Sequence, residues 1–230
     1  MIKLITGAGF IAFTIAAFAF GRLAQSRIRH PLANATLIAI LLIIAALLST
    51  RTSYASYMQG GGVISWLLGP ATVALGIPLA LHAKPIKRDA TAILLAVFAG
   101  AAVSAILGPA ILMAGGGSHL LALSIAPKAV TTPIAMGIAE RTGGVPALAA
   151  VLAIIGGVIV AAIVDPLLTA LKIHDHRVFG LAAGVAGSGI GTAQAVLRHP
   201  QAGAYAALAI GLNAIITAIL LPILYLLHWL

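Results

Sequence analysis

The length of its uncharged runs constrains this chain more than any other feature. No Asp, Glu, Lys or Arg occurs from Thr52 to Ala83, from Ala90 to Pro127, or from His199 to Leu230. Such runs exceed the about 20 residues that a helix needs to span a bilayer. In lipid, a backbone must satisfy its own hydrogen bonds, and an apolar run of this kind does so as a helix. Charged residues make up 7% of the chain and apolar residues 62%, whereas soluble domains carry about 25% charge. The sequence therefore predicts an all-α integral membrane protein.

Division at the charged and Gly/Pro-rich breaks gives about eight membrane segments: 4–21, 32–50, 63–82, 90–114, 118–139, 146–171, 178–197 and 203–228. The connections between them are short, so residues 1–230 are read as a single multi-pass membrane domain. If every segment crosses once, Arg22, Arg27, Arg29, Lys84, Lys87, Arg88, Arg141 and Arg198 share one face. Lys3, Arg51, Lys172 and Arg177 then share the other. Excess Lys and Arg mark the cytoplasmic side. The net charge of +9 lies between apolar segments, where lipid headgroups sit, so no nucleic-acid partner is expected.

An offset of 57 residues superposes Pro70 on Pro127, Val73 on Val130, Ile77 on Ile134, Gly100 on Gly157 and Pro109 on Pro166. Transporters carry internal repeats with helices interrupted near the midplane, and this offset suggests repeat units at 63–114 and 118–171. Segment three holds Pro70 and Pro78 around Thr72, and segment five holds Pro127 and Pro133 around Lys128, Thr131 and Thr132. Each proline removes a backbone donor and clashes with the preceding turn. Both segments are expected to unwind, or to re-enter the membrane, at these prolines. A third break is expected in segment seven, where Gly180, Gly184, Gly187, Gly189 and Gly191 accompany Ser188 and Thr192.

Lys128 is the one basic residue deep inside an apolar segment. A charge at that depth costs about 2.5–3.5 kcal/mol on insertion scales. Its expected work is to receive a small carboxylate, with Thr72, Thr131, Thr132, Ser188, Thr192 and Asn213 lining the site. Asp165 and Glu140 are the candidates for ion coupling, since only four acids exist in the chain.

Enzymatic chemistry is not expected. The chain has no cysteine, and its histidines lack metal-ligand spacing. Its Gly run has no Gly-Lys-Ser/Thr ending and Ser188 sits in no nucleophile elbow. No metal and no cofactor are predicted.

The strings LLGPATVALGIPLAL (67–81), SIAPKAVTTPIAM (124–136), GGVPAL (143–148) and GLAAGVAGSGIGTAQA (180–195) resemble the LrgB/CidB family. That family includes the C-terminal half of the plastid glycolate/glycerate transporter. The most specific match is Pro127 to Pro133. Family members usually carry His just ahead of the Gly-Thr-Ala string, where this chain has Ser188. The resemblance implies a bacterial inner-membrane location and a small LrgA-type membrane partner. It also implies two functions. One is carriage of 2-hydroxy or 2-oxo monocarboxylates such as glycolate, glycerate, pyruvate or lactate, coupled to H+ or Na+. The other is holin/antiholin-like control of murein hydrolase export and cell lysis. The carrier is the leading expectation, with membrane lipid and further copies of the chain as additional partners.

Overall fold

A computed structural model describes residues 2–28, 35–74 and 76–227, with side chains throughout except at 2–6, 65, 68, 69, 71, 72, 78 and 79. The described residues form helices and no strand. These are α1 (Ile2–Arg27), α2 (Ala35–Ser49), α3 (Tyr54–Ala74), α4 (Gly76–Leu81), α5 (Ala83–Arg88) and α6 (Ala90–Ala114). They continue with α7 (His119–Ile125), α8 (Thr132–Thr142), α9 (Pro146–Ala170), α10 (His176–Arg198) and α11 (Pro200–Leu226). Large apolar side chains such as Leu95, Ile111, Ile163, Leu167 and Ile219 point outward. In a lipid solvent such a surface is stable, whereas a soluble monomer rarely exposes one. The chain is a multi-pass membrane protein.

Five described helices are long and apolar enough to cross a bilayer: Gly7–Arg27, α6, α9, α10 and α11. Of the remaining expected segments, 32–50 yields the 15-residue α2, 63–82 is divided between α3 and α4, and 118–139 between α7 and α8.

The chain divides into two compact units, Met1–Ala74 and Leu75–Leu230. In the first, close backbone approach joins the helices. A Cβ on Gly21 would lie 2.5 Å from the Ala35 carbonyl oxygen, and one on Gly60 would lie 2.2 Å from that of Gly7. The Thr14 and Tyr57 hydroxyls share a hydrogen bond of 2.9 Å.

The second unit is built from α6, α9 and α11 with two hairpins between them. α10 contains non-helical backbone at Ser188 (φ 50, ψ −135), and its two halves fold against each other. Along a straight helix Phe179 and Arg198 would stand about 28 Å apart, yet the Arg198 guanidinium lies 4.2 Å from the Phe179 ring centre. His176 and His199, at the two ends, stack at 4.1 Å and 3°. Gly191 makes the reversal possible, because a Cβ there would meet the Ala183 oxygen at 2.1 Å. Gly180 and Gly184 let the first half lie equally close to α11, against Ala202 and Ala206.

α7 and α8 form the other hairpin. α7 is capped by the Ser118 side chain and ends at Ile125, and α8 begins at Thr132. α8 ends at Gly143, whose φ of 82 closes the helix in the left-handed conformation. There the chain has returned to α7: the Val145 N–H donates to Ser124 Oγ at 2.9 Å. In one continuous helix these residues would be about 30 Å apart.

The hairpins enter from opposite ends. Arg177 at the base of α10 is bonded to Asp89 at the start of α6, while α7 follows the far end of α6. This corrects the expected distribution of charge. Lys172 and Arg177 lie at the same end as Lys84, Lys87, Arg88 and Arg198, and Arg141 lies at the other. Both segments return to the end of the unit from which they set out, where the expected distribution had each segment run from one end to the other.

Candidate functional site

The turns of the two hairpins meet at Asn213, midway along α11. Its amide nitrogen donates to the Ala129 carbonyl at 2.8 Å and to the Val185 carbonyl at 3.0 Å. Ala129 lies in the 126–131 turn, and Val185 lies three residues before Ser188. The Thr217 hydroxyl donates to Asn213 Oδ1 at 3.3 Å, and Asn213 is 0% exposed. One amide thus supplies donors to two carbonyls near helix breaks, groups that would otherwise be orphaned in an apolar interior. Mid-α9 completes the junction: a Cβ on Gly157 would be 3.1 Å from the Gly187 oxygen. Asn213 therefore pins the turns instead of facing an open polar lining.

Lys128 projects from the first turn onto α6. Its ammonium donates to the Ser104 carbonyl at 2.8 Å and to Ser104 Oγ at 3.1 Å. Gly108 makes room for it, since a Cβ there would be 2.5 Å from Nζ. Two of its three N–H groups are occupied by neutral oxygens. Among the described residues no carboxylate pairs with Lys128, so this partly buried cation keeps its positive charge uncompensated.

Thr131 and Thr132 stand beside it at the start of α8, both partly exposed. Thr131 occupies the capping position without a side-chain cap bond, which leaves first-turn N–H groups of α8 available. Pro127 is buried in the turn, and Pro133 begins α8. The break expected between these prolines is present. In segment three, α3 continues through Pro70 to Ala74, and α4 begins at Gly76, ahead of Pro78. The side chains of Thr72 and Pro78 lie outside those described.

Ser188 is buried in the α10 turn. The Thr192 hydroxyl donates to the Ser188 carbonyl at 2.8 Å, so it stabilises the break from within. Asp165 is far along α9 and pairs with Arg198, which makes it a partner for the returning half of α10. Glu140 is exposed near the end of α8.

Sequence reasoning missed Ser104 and Gly108, whose signal is one hydroxyl and a Gly-Pro pair inside the apolar run of α6. It also missed a polar cluster where α10 begins. Arg177 bonds Asp175 at 2.6 Å and Asp89 at 3.0 Å, and the buried Tyr205 hydroxyl donates to Asp89 at 2.7 Å. The Tyr205 hydrogen bond, followed by Arg177, holds the Asp89 carboxyl below its usual value against the opposing effect of burial. Arg177 does the same for Asp175.

Residues 14–227 match the family model described as the LrgB-like family. The chain belongs to this family. Protein YxaC of Bacillus subtilis is 38% identical over 187 residues, 81% of each chain. The Holin-like protein CidB of Staphylococcus epidermidis is 29% identical over 219 residues, 95% of this chain and 96% of the relative. A protein of Haemophilus influenzae is 29% identical over 192 residues, 84% of this chain and 83% of the relative. No solved structure matches the chain. The family and the name of the staphylococcal relatives favour the holin-like expectation over carriage of any particular carboxylate. They fit a bacterial membrane protein.

Proposed function

We propose that the second unit is the substrate-handling part of a carrier for small monocarboxylates in the bacterial cytoplasmic membrane. The observation that carries this reading is Lys128, an ammonium inside an apolar segment with no acid beside it. Such a charge is costly, and a carboxylate that binds there removes the cost. The start of α8, and the start of the returning half of α10 after Ser188, both point their helix dipoles inward. Two half-helix N-termini favour an anion on the same physical grounds. Thr131 and Thr132 supply hydroxyls for the hydroxyl or keto oxygen of the substrate.

In this reading the hairpins are re-entrant, one from each side of the bilayer. The 57-residue offset then relates α6 plus the α7–α8 hairpin to α9 plus the α10 hairpin, with Gly100 and Gly157 in equivalent places. Six cations (Lys84, Lys87, Arg88, Lys172, Arg177 and Arg198) stand at the end where α10 enters, against Arg141 at the other. That end is the cytoplasmic one. Because the chain has no cysteine, single cysteines at Gly115, Glu140, His174 and Gln201 report sidedness directly. An impermeant maleimide should label 115 and 140 from outside, and 174 and 201 from inside. Labelling of 115 and 140 from opposite faces would sink the first hairpin.

The second reading is a holin-like membrane protein, favoured by the name of the staphylococcal relatives, acting with an LrgA-type partner. Proteoliposomes separate the two. Saturable uptake of a labelled monocarboxylate, lost in Lys128→Ala while impermeant dyes stay trapped, supports the carrier. Dye leakage with no accumulation of glycolate, glycerate, pyruvate or lactate, under H+ or Na+ gradients, supports the holin-like reading.

A further inference from the structure

Lys84 and Arg88 stand four residues apart on α5 and so share one face. With Pro85, Asp89 and Arg177 they line a cavity of about 600 Å³. Asp89 offers little to an incoming cation, because its Oδ2 already accepts from both Tyr205 and Arg177. Arg177 is held from behind by Asp175 at Nε and Nη2, which fixes the plane of its guanidinium. Among the described residues neither Lys84 nor Arg88 is in an ion pair. Three cations and one acid therefore face the cavity, and counting Asp175 leaves a net charge of +1 around it.

We propose that this cavity, between α5 and the base of the α10 hairpin, binds a phosphate group. A guanidinium presents paired donors that match two oxyanion oxygens, and an ammonium adds a point charge without demanding geometry. Arg88 and the free edge of Arg177 supply the first, and Lys84 the second. The volume leaves room for an organic substituent on the phosphate. Lying at the cation-rich end of the membrane unit, the cavity is placed for the phosphodiester of an anionic lipid headgroup. A soluble phosphate offers the same chemistry. Bound, the group ties α5 to the hairpin base through Arg177. None of this draws on Lys128 or on the carrier reading.

The full chain in detergent, together with Lys84→Gln/Arg88→Gln, tests the assignment. Both residues are exposed, so the double variant should melt like the parent in phosphatidylcholine micelles. The single variants stand in for it if it does not. Phosphatidylglycerol should raise the parent's Tm by about 5–11 °C at a hundredfold excess over Kd, and should stay bound in native mass spectra. The double variant should lose most of both effects. An equal, variant-sensitive shift from millimolar inorganic phosphate, beyond that of chloride at matched ionic strength, supports the phosphate site with a soluble source. No shift from either probe, or shifts unchanged in the double variant, overturns the proposal.

Discussion

Replacing Asn213 with Leu keeps the number and branching of side-chain heavy atoms, adds the bulk of two methyl groups at a buried site, and removes the bonds to Ala129 and Val185. The Ala129 carbonyl has Pro133 four residues on, which carries no N–H, and Val185 lies three residues before the non-helical Ser188. A buried polar group left without a partner costs about 1–3 kcal/mol. Two of them set the loss at about 2–6 kcal/mol, partly offset by the apolar gain of Leu. The Thr217 bond, at 3.3 Å, is long and adds little. A net loss of about 3 kcal/mol corresponds to a fall in Tm of about 6–12 °C for a chain of this size. Thermal unfolding in detergent, followed by circular dichroism or tryptophan emission, reads this directly. Thr217→Val is the control and should cost about 1 kcal/mol, the low end for one buried acceptor left without a donor, since the bond lost is long and the amide nitrogen stays clamped. Asn213→Asp should be at least as harmful as Asn213→Leu, because a carboxylate would face two carbonyl oxygens. A Tm for Asn213→Leu within about 2 °C of the parent, or an equal fall in Thr217→Val, would refute the clamp.

Gly108→Ala should separate folding from uptake. The new methyl displaces Lys128 Nζ, the far end of a flexible side chain, and it favours the helix by up to about 1 kcal/mol. We therefore expect an unchanged or higher Tm and impaired Lys128-dependent uptake; normal uptake would remove Lys128 from the site. Ser188→Gly should raise Tm by about 2–4 °C, because φ 50 with ψ −135 is a conformation that costs a side-chain-bearing residue about 1–3 kcal/mol, and Ser188→Val should lower it. Asp89 and Asp175 both titrate below their ordinary value. The stability they confer is therefore complete above the unfolded-state value of about 4 and is lost as pH falls through the lower folded-state values. Tm should be level from about pH 5 upward with respect to these groups and should drop below about pH 4. In Tyr205→Phe, which loses the main cause of the Asp89 depression, that drop should be shallower and should end at a higher pH, because its onset is set by the unfolded state; an acid limb of unchanged depth would show that the hydrogen bond has no energetic weight.

Much of this protein is set locally and can be read along the chain. Apolar length fixes α6, α9 and α11 as helices, because a backbone in lipid has no other partner than itself. Pro127 and Pro133 fix a break, since two donors are missing within one and a half turns. In segment three the boundary between α3, which ends at Ala74, and α4, which begins at Gly76, falls between Pro70 and Pro78. The glycines of segment seven announced close packing, and Ser188 does lie at a break.

What those breaks do was decided only in three dimensions. A turn in the sequence does not say whether the chain continues across the bilayer or comes back. The answer depends on partners remote in sequence: Ala183 against Gly191, Ser124 under Val145, and Arg177 on Asp89. Asn213 is expected from the sequence in the polar lining, and its bonds to the Ala129 and Val185 carbonyls appear only when those residues arrive from opposite ends. Lys128 was legible as an unusual charge. Its setting on Ser104 and Gly108 was not, because no local rule links residues 20 or more apart. Burial depth and solvent are properties of single segments, so the sequence determines them; chain direction and hydrogen-bond partnership are relations between segments, so the tertiary structure does.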